Sequence, residues 1–397
     1  MRWLMTPRRL RRIRDLPGPS LSRPLSVPAP WTEVPAAPPA ELATTPGIRR
    51  DDAAESQAFE ERPLHDWFRT HPEAVRWMAP HYWRSFLPVS RRLMRSRRAL
   101  HYTGRHNPPA ASFPADADPA PLTAELREEA RRLGISTIGV AAYDPRFTFA
   151  EYAGRNAGDR MIVCVVEQPW AVTQQLPCAV TEKTALATYA ALGERMVQLA
   201  EWLQRRGFQA RAEDYEGESL YIHYAVQAGL GQLGLNGQLL TPQAGSRCRL
   251  AGITTNAPLV LDAPKDYGIE GVCDQCQVCV RRCPVGAIPA QRREYRGVTK
   301  AKLNTKRCFP IVTQVAGCAI CMKVCPVQKY GLTAVLAEYE DTGRILGKDT
   351  DDLEGYDWPV DGRHYGPGQR PRLAQELTAP PGLIFDPGRL APPDTRR

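Results

Sequence analysis

Apolar residues along the chain change their period from one segment to the next, and the changes mark the elements. Leu122, Leu126, Ala130 and Leu133 recur at three- and four-residue intervals and stop at Gly134, which predicts an amphipathic helix over 121–133. Ile135 to Ala142 then reads as a strand, and Met161 to Val166 as a buried one. A long helix is expected over 182–206, with Thr181 as its N-cap, a stripe of Leu186, Tyr189, Met196, Leu199 and Leu203, and Gly207 as its stop. Phe208 to Ala212 returns as a strand. This alternation predicts an α/β fold arranged as an α+β sandwich, with a separate small lobe after it.

Outside that block the pattern loosens. Residues 1–55 are rich in Pro, Ala and Arg and are expected to be a disordered basic tail. Residues 56–120 form an N-terminal arm and linker. Trp67, Phe68, Trp77, Tyr82, Trp83 and Phe86 suggest a helical arm packed on the main body, and 107–120 reads as the linker. The main domain is placed at 121–262, a cysteine-rich domain at 263–335, and a Pro/Gly-rich tail with Tyr356, Trp358 and Tyr365 at 336–397.

Charge sharpens this division. The formal charge is +9 over 397 residues. Residues 1–50 hold nine Arg against Asp15, Glu33 and Glu41, and residues 84–106 hold seven Arg and no acid, so the remainder is net negative by four. The basic segments suit contact with a polyanion or a solvated face. Paired arginines in 1–14 invite an export reading, but Asp15-Leu16-Pro17-Gly18-Pro19 follows where an apolar stretch is required. No run approaches the roughly 18 apolar residues of a membrane span. A cytoplasmic location is the expectation.

Eight of the eleven cysteines carry the chemistry. They form Cys273-x2-Cys276-x2-Cys279-x3-Cys283-Pro284, and then Cys308 followed by Cys318-x2-Cys321-x3-Cys325-Pro326. Three cysteines at such spacing wrap one cubane, and the fourth, before proline, serves the neighbouring one. Two [4Fe–4S] clusters follow, one held by Cys273, Cys276, Cys279 and Cys325, the other by Cys283, Cys308, Cys318 and Cys321. Zinc sites and disulfide frameworks use other spacings and contexts. Residues 273–329 carry eleven Lys and Arg against Asp274 and Glu294, which offsets the negative charge of thiolate-bound clusters. Cys164, Cys178 and Cys248 remain; the first reads as packing, and nothing marks the other two as reactive.

Ahead of the first cysteine run lies Ala228-Gly229-Leu230-Gly231-Gln232-Leu233-Gly234-Leu235-Asn236-Gly237, followed by Leu239-Leu240-Thr241-Pro242 and Gly245-Ser246-Arg247. Five glycines between 229 and 245 imply a backbone that turns sharply and approaches something closely. The pattern matches neither a dinucleotide fingerprint nor a P-loop.

These segments, from about Leu122 to Gly331, resemble the cobalamin-dependent reductive dehalogenases and epoxyqueuosine reductases. Tyr267-Gly268-Ile269 before Cys273 leans toward the dehalogenases, whereas Gln232 and Leu235 depart from the glutamate and arginine usual there, and Leu235 also from the lysine usual in epoxyqueuosine reductases. The resemblance implies a nitroreductase-like core that holds the corrinoid and a bacterial-ferredoxin-like lobe that feeds it electrons. It implies cobalamin contacts at Gly229, Leu230, Gly231, Thr241 and Gly245. It also implies a proton donor upstream: Tyr215 falls at that position, with Asp214, Tyr221, His223 and Tyr224 as alternatives.

Three functions stay open at this point. The first is a corrinoid-dependent reductase of a small, halogenated molecule, supplied by an external low-potential donor of ferredoxin or flavodoxin type. The second is a tRNA-modifying reductase, and the third a non-catalytic electron carrier.

Overall fold

The computed structural model describes residues 34–35, 37–50, 72–109, 118–213, 217–314, 317–358, 362–371 and 373. A four-stranded sheet organises the main domain. Its strands are β1 (Thr137–Ala142), β2 (Arg160–Glu167), β3 (Ala210–Ala212) and β6 (Cys248–Thr255), ordered β1-β2-β6-β3 with every pair antiparallel. The strand–helix alternation therefore does not build a parallel sheet. Two short strands, β4 (Gln232–Leu233) and β5 (Leu239–Leu240), pair separately as an antiparallel ribbon, and β6, last of the sheet in sequence, inserts between β2 and β3, which gives a mixed helix–strand layer structure.

β2 shows why both faces are covered. Ile162, Cys164 and Val166 enter one core, and Met161 and Val163 enter the other, as a period of two demands. The first core lies under helix α3 (Ala179–Gln204) through Leu192, Met196, Leu199 and Leu203, and under α2 (Ala120–Arg132) through Leu126 and Ala130. Gly134, at φ +76°, ends α2 as expected. α3 begins three residues earlier than the sequence suggested, with Cys178 at the N-cap, and the Thr181 hydroxyl donates to the Val172 carbonyl (3.1 Å) instead of capping. The second core lies under α4 (Tyr221–Gln227) with Phe147, Phe149 and Tyr224.

Helix α1 (Pro72–Arg105) packs along α3. Val89, Leu93, Ser96 and Leu100 are buried, Arg92 holds Glu194 through two nitrogens at 2.7 and 2.5 Å, and Gly193 leaves room for Ser96. The helical arm thus docks on the body. Its aromatic residues up to Phe86 lie outside the described side chains.

The second lobe contains α5 (Ile269–Cys276), α6 (Val278–Arg282), a hairpin of β7 (Arg293–Tyr295) and β8 (Val298–Lys300), then α7 (Thr305–Gln314), α8 (Ile320–Lys323), α9 (Pro326–Tyr330) and α10 (Leu332–Thr342). Two segments read as tails belong to it. Leu42 is fully buried against Gly271 and Ile269, Thr44 donates its amide to Asp266 (2.6 Å), and Arg49 pairs with Glu270 (2.6 Å). Composition had placed residues 37–50 in a disordered tail; Leu42 and Ile48 in apolar slots and charge-assisted contacts of Thr44, Arg49 and Arg50 hold them instead. Likewise Tyr356, Trp358 and Tyr365 are buried in the core of this lobe.

Candidate functional site: two thiol quartets beside a cavity

The eight cysteines of the two runs form two mutually facing groups. Cys279 interacts with Cys273, Cys276 and Cys325, while Cys283 interacts with Cys308, Cys318 and Cys321. The fourth cysteine of each run thus joins the other run, as the spacing implied. Cys279 also faces Cys321, so the quartets abut.

Burial raises these thiols: Cys273 and Cys308 are pushed up to about 12 and Cys276 to about 11. Iron binding must therefore expel their protons. Backbone amides aim at the sulfurs and offset part of that cost. The Ala287 amide lies 3.3 Å from Cys283 Sγ, and amides of Leu235, Val278 and Gln328 reach Cys273, Cys276 and Cys325. Gln277 (φ 52°), Cys318 (φ 26°) and Ala319 (φ 54°) sit in or beside the left-handed region, which curls each loop inward.

Among the described residues, no three His, Cys, Asp or Glu side chains converge on one ion.

Next to the first quartet lies a cavity of about 480 Å³. α4 contributes Tyr221 and His223, the glycine-rich segment contributes Leu233, Gly234 and Gln238, and Ser246, Cys248 and Arg249 come from the start of β6. Lys300 reaches in from the hairpin of the second lobe. Leu235, one residue beyond Gly234, is the one whose amide reaches Cys273. Cavity wall and first quartet are therefore joined by a single stretch of backbone.

Among the described residues the lining is aromatic and cationic, and no lining residue is Asp or Glu. Burial lowers Lys300 to about 8, aided by Lys302 and Arg296, and lowers His223 to about 3, so the imidazole is neutral and stacks on Phe147 at 5.0 Å. Burial holds Cys248 up at about 12. Ser246 Oγ and Gln238 Oε1 are buried at this cavity with no hydrogen-bond partner among the described residues. An amide-rimmed macrocycle would answer both, so the residues present fit a corrinoid.

The five positions carried over for cobalamin contact sit behind this lining. Gly229 and Gly231 press against the carbonyl oxygens of Ala263 and Leu240, and Gly245 (φ 52°) is seated on Gln328, where a Cβ would come within 2.5 Å of its Cα. Leu230 packs against the α4 core, and Thr241 Oγ1 accepts the Ala244 amide at 3.1 Å. They shape the wall that Leu233, Gly234, Gln238 and Ser246 present. Tyr215 and Asp214 lie outside the described residues. Of the alternatives, Tyr224 is tied into the core by donating to the Asp144 carbonyl (2.7 Å), whereas Tyr221 lines the cavity. Glu213 was missed: it sits fully buried behind Tyr221 and takes its hydroxyl at 2.8 Å. Lys300, too, lies too far along the chain for any spacing to connect it with the cavity.

Residues 272–329 match the family model described as a 4Fe-4S dicluster domain. The second lobe is a two-cluster iron–sulfur module. The chain is also similar to tetrachloroethene reductive dehalogenases. It is 27% identical to that of Sulfurospirillum multivorans over 261 residues, covering 54% of this chain and 52% of that protein. It is 29% identical to that of Dehalobacter restrictus over 209 residues, covering 49% and 37%. The epoxyqueuosine reductase of Lactococcus garvieae is 33% identical over 147 residues, covering 35% and 41%. The chain spans about half or less of these relatives. Its fold is shared with the catabolic reductive dehalogenase NpRdhA, at a TM-score of 0.62 and 20% identity over 81% of this chain and 50% of that one. Among the described residues, no helix is long and apolar enough to cross a membrane.

Proposed function

We propose that this chain is a corrinoid-dependent iron–sulfur reductase acting on a small, halogenated substrate. The observation that carries the reading is the backbone link from the cavity wall, through the Leu235 amide, to Cys273. It supports an electron path that ends at the cavity. A solved relative described in terms of B12-dependent dehalogenation shares the fold, with a TM-score of 0.54 at 21% identity over 65% of this chain and 42% of that one. On this reading the main domain is a nitroreductase-like core, the location is cytoplasmic, and the donor is a separate low-potential protein.

When bound, a corrinoid supplies a low-valent cobalt able to break a carbon–halogen bond, and the clusters supply one-electron carriers. The chain's own residues do the rest. Ser246 and Gln238 hold amide groups of the cofactor, Tyr221 stands ready with a proton, and Arg249 and Lys300 favour a substrate bearing negative charge. The cations Lys306 and Arg307, exposed beside Cys308, favour an acidic electron donor.

The test is anaerobic reconstitution with iron, sulfide and hydroxocobalamin, followed by gel filtration. Cobalamin should co-elute with the protein, and S246A and Q238A should each weaken its retention about tenfold, near 1.4 kcal/mol. A brown protein that carries no cobalt would leave only the electron carrier.

A second reading has its own observation. Arg91, Arg95, Arg98, Tyr102 and Arg105 form one exposed stripe on α1, opposite its buried face. A tRNA-modifying reductase could lay RNA phosphates there. It requires binding that weakens steeply with salt as counterions are released; salt-insensitive or absent binding removes it.

A further inference from the structure

One chain of hydrogen-bonded side chains runs from Tyr143 inward to the cavity. Tyr221 Oη donates to Glu213 Oε2 at 2.8 Å, and Glu213 Oε1 accepts from Ser219 Oγ at 3.3 Å. Ser219 Oγ lies 3.4 Å from Thr148 Oγ1, which lies 3.0 Å from Tyr143 Oη. Glu213 and Thr148 are buried, Ser219 and Tyr221 are buried in the cavity wall, and Tyr143 is half-buried at the opposite end. Every member can both give and accept a proton, Glu213 in its carboxylic acid form.

We propose that Tyr143, Thr148, Ser219, Glu213 and Tyr221 form a proton wire that refills the cavity from solvent. The proposal rests on the reductase reading, because reduction consumes a proton at the cavity. In replacing a carbon–halogen bond, two electrons from the low-potential donor and one proton make the new C–H bond, and halide leaves. Tyr221 gives that proton to carbon, and its phenolate is reprotonated by the Glu213 carboxylic acid. Glu213 regains a proton from Ser219, Ser219 from Thr148, Thr148 from Tyr143, and Tyr143 from water.

The surroundings suit the carboxyl to this task. Burial raises Glu213 to about 7, helped by Glu218 and opposed by the Tyr221 and Ser219 hydroxyls and by Arg211. Arg211 is itself paired with Glu218 at 2.5 Å, and Tyr143 and Tyr224 also face the site. Near neutral pH the group is thus part acid and part base. The backbone fixes it in place, since its amide bonds the Gly252 carbonyl (2.9 Å) as an extension of the β3–β6 pairing.

The test uses infrared spectroscopy on the full chain with clusters but without corrinoid. A protonated-carboxyl band should titrate near pH 7 and vanish in E213Q. On mixing with D2O this band should shift at least tenfold more slowly in T148V than in wild type, and T148S should restore the rate. With cobalamin bound, T148V should lower kcat, leave KM unchanged and enlarge the solvent isotope effect. A band that never titrates between pH 5 and 9, or exchange in T148V as fast as in wild type, overturns the wire. Should T148V fail to fold, S219A interrupts the same path and faces the same criterion. Failure to bind cobalamin would overturn the reductase reading while the exchange rates still decide the wire. Normal cobalamin binding with unchanged exchange would overturn the wire alone.

Discussion

Arg282 offers the sharpest test of how the C-terminal segment is held on the dicluster lobe. Its side chain is 1% exposed at the end of α6, next to Cys283. Nη2 donates to the carbonyls of Glu354 (2.6 Å) and Tyr365 (2.7 Å), and the guanidinium carbon lies 4.8 Å from the Tyr356 ring centre. Each bond from a charged donor contributes about 1.5–3 kcal/mol, and the ring contact up to about 2 kcal/mol. Against this stands desolvation, which lowers the pKa of the guanidinium, and Nε and Nη1 have no hydrogen-bond partner among the described residues. Arg282→Ala removes the gain and strands two carbonyls, for a net loss of about 4 kcal/mol. Arg282→Met keeps most of the stem packing but neither hydrogen bond, and should recover no more than about 1 kcal/mol of it. Anaerobic urea unfolding, followed by tryptophan fluorescence and by cluster absorbance, measures both. Either variant lying within about 1 kcal/mol of wild type would refute this reasoning.

Three further outcomes follow from the same geometry. Cys283→Ser should abolish the second cluster although Cys283 lies in the first run, halving iron from about eight to about four per chain; loss of the first cluster's paramagnetic signal instead would refute the exchange. Glu213 binds its proton more tightly folded, at about 7, than unfolded, at 4.5, so its stabilisation is complete below pH 4.5 and is lost as pH rises through 7. That loss is about 3 kcal/mol, and E213Q should flatten the fall in melting temperature between pH 5 and 8; parallel profiles for the two proteins would refute it. Gly245→Ala places a Cβ against Gln328 at φ 52° and should cost about 2 kcal/mol or more, read as a lower melting temperature, with an unchanged one as the contrary result.

Local signals were legible where one residue type does one job. The cysteine spacing anticipated the exchanged quartets, and the apolar run of β2 marked a strand buried on both faces. β6 escaped because Arg249 and Gly252 interrupt its apolar pattern. Gly252 is there for packing, since a Cβ would meet Met161 Sδ at 2.7 Å and the Tyr221 ring at 2.8 Å. The glycines of 229–245 did signal close approach, but what several of them approach is the protein's own backbone. Residues 37–50 looked disordered because Pro, Ala and Arg dominate them, yet Leu42, Thr44, Ile48, Arg49 and Arg50 hold them down. Cavity residues from distant segments, Lys300 and Glu213 above all, carry no periodic signature, and only the fold brings them to Tyr221.

The central claim is that the cavity sits against the first quartet, and magnetic coupling measures this most directly. Protein loaded with cobalt(II) corrinoid and reduced by irradiation at 77 K, so that clusters take up electrons before they can pass them to cobalt, should show a cobalt resonance broadened by the neighbouring cluster. The broadening should disappear in Cys325→Ser, which lacks that cluster, and persist in Cys283→Ser, which retains it. A sharp cobalt signal in wild-type protein with both clusters reduced would contradict the account.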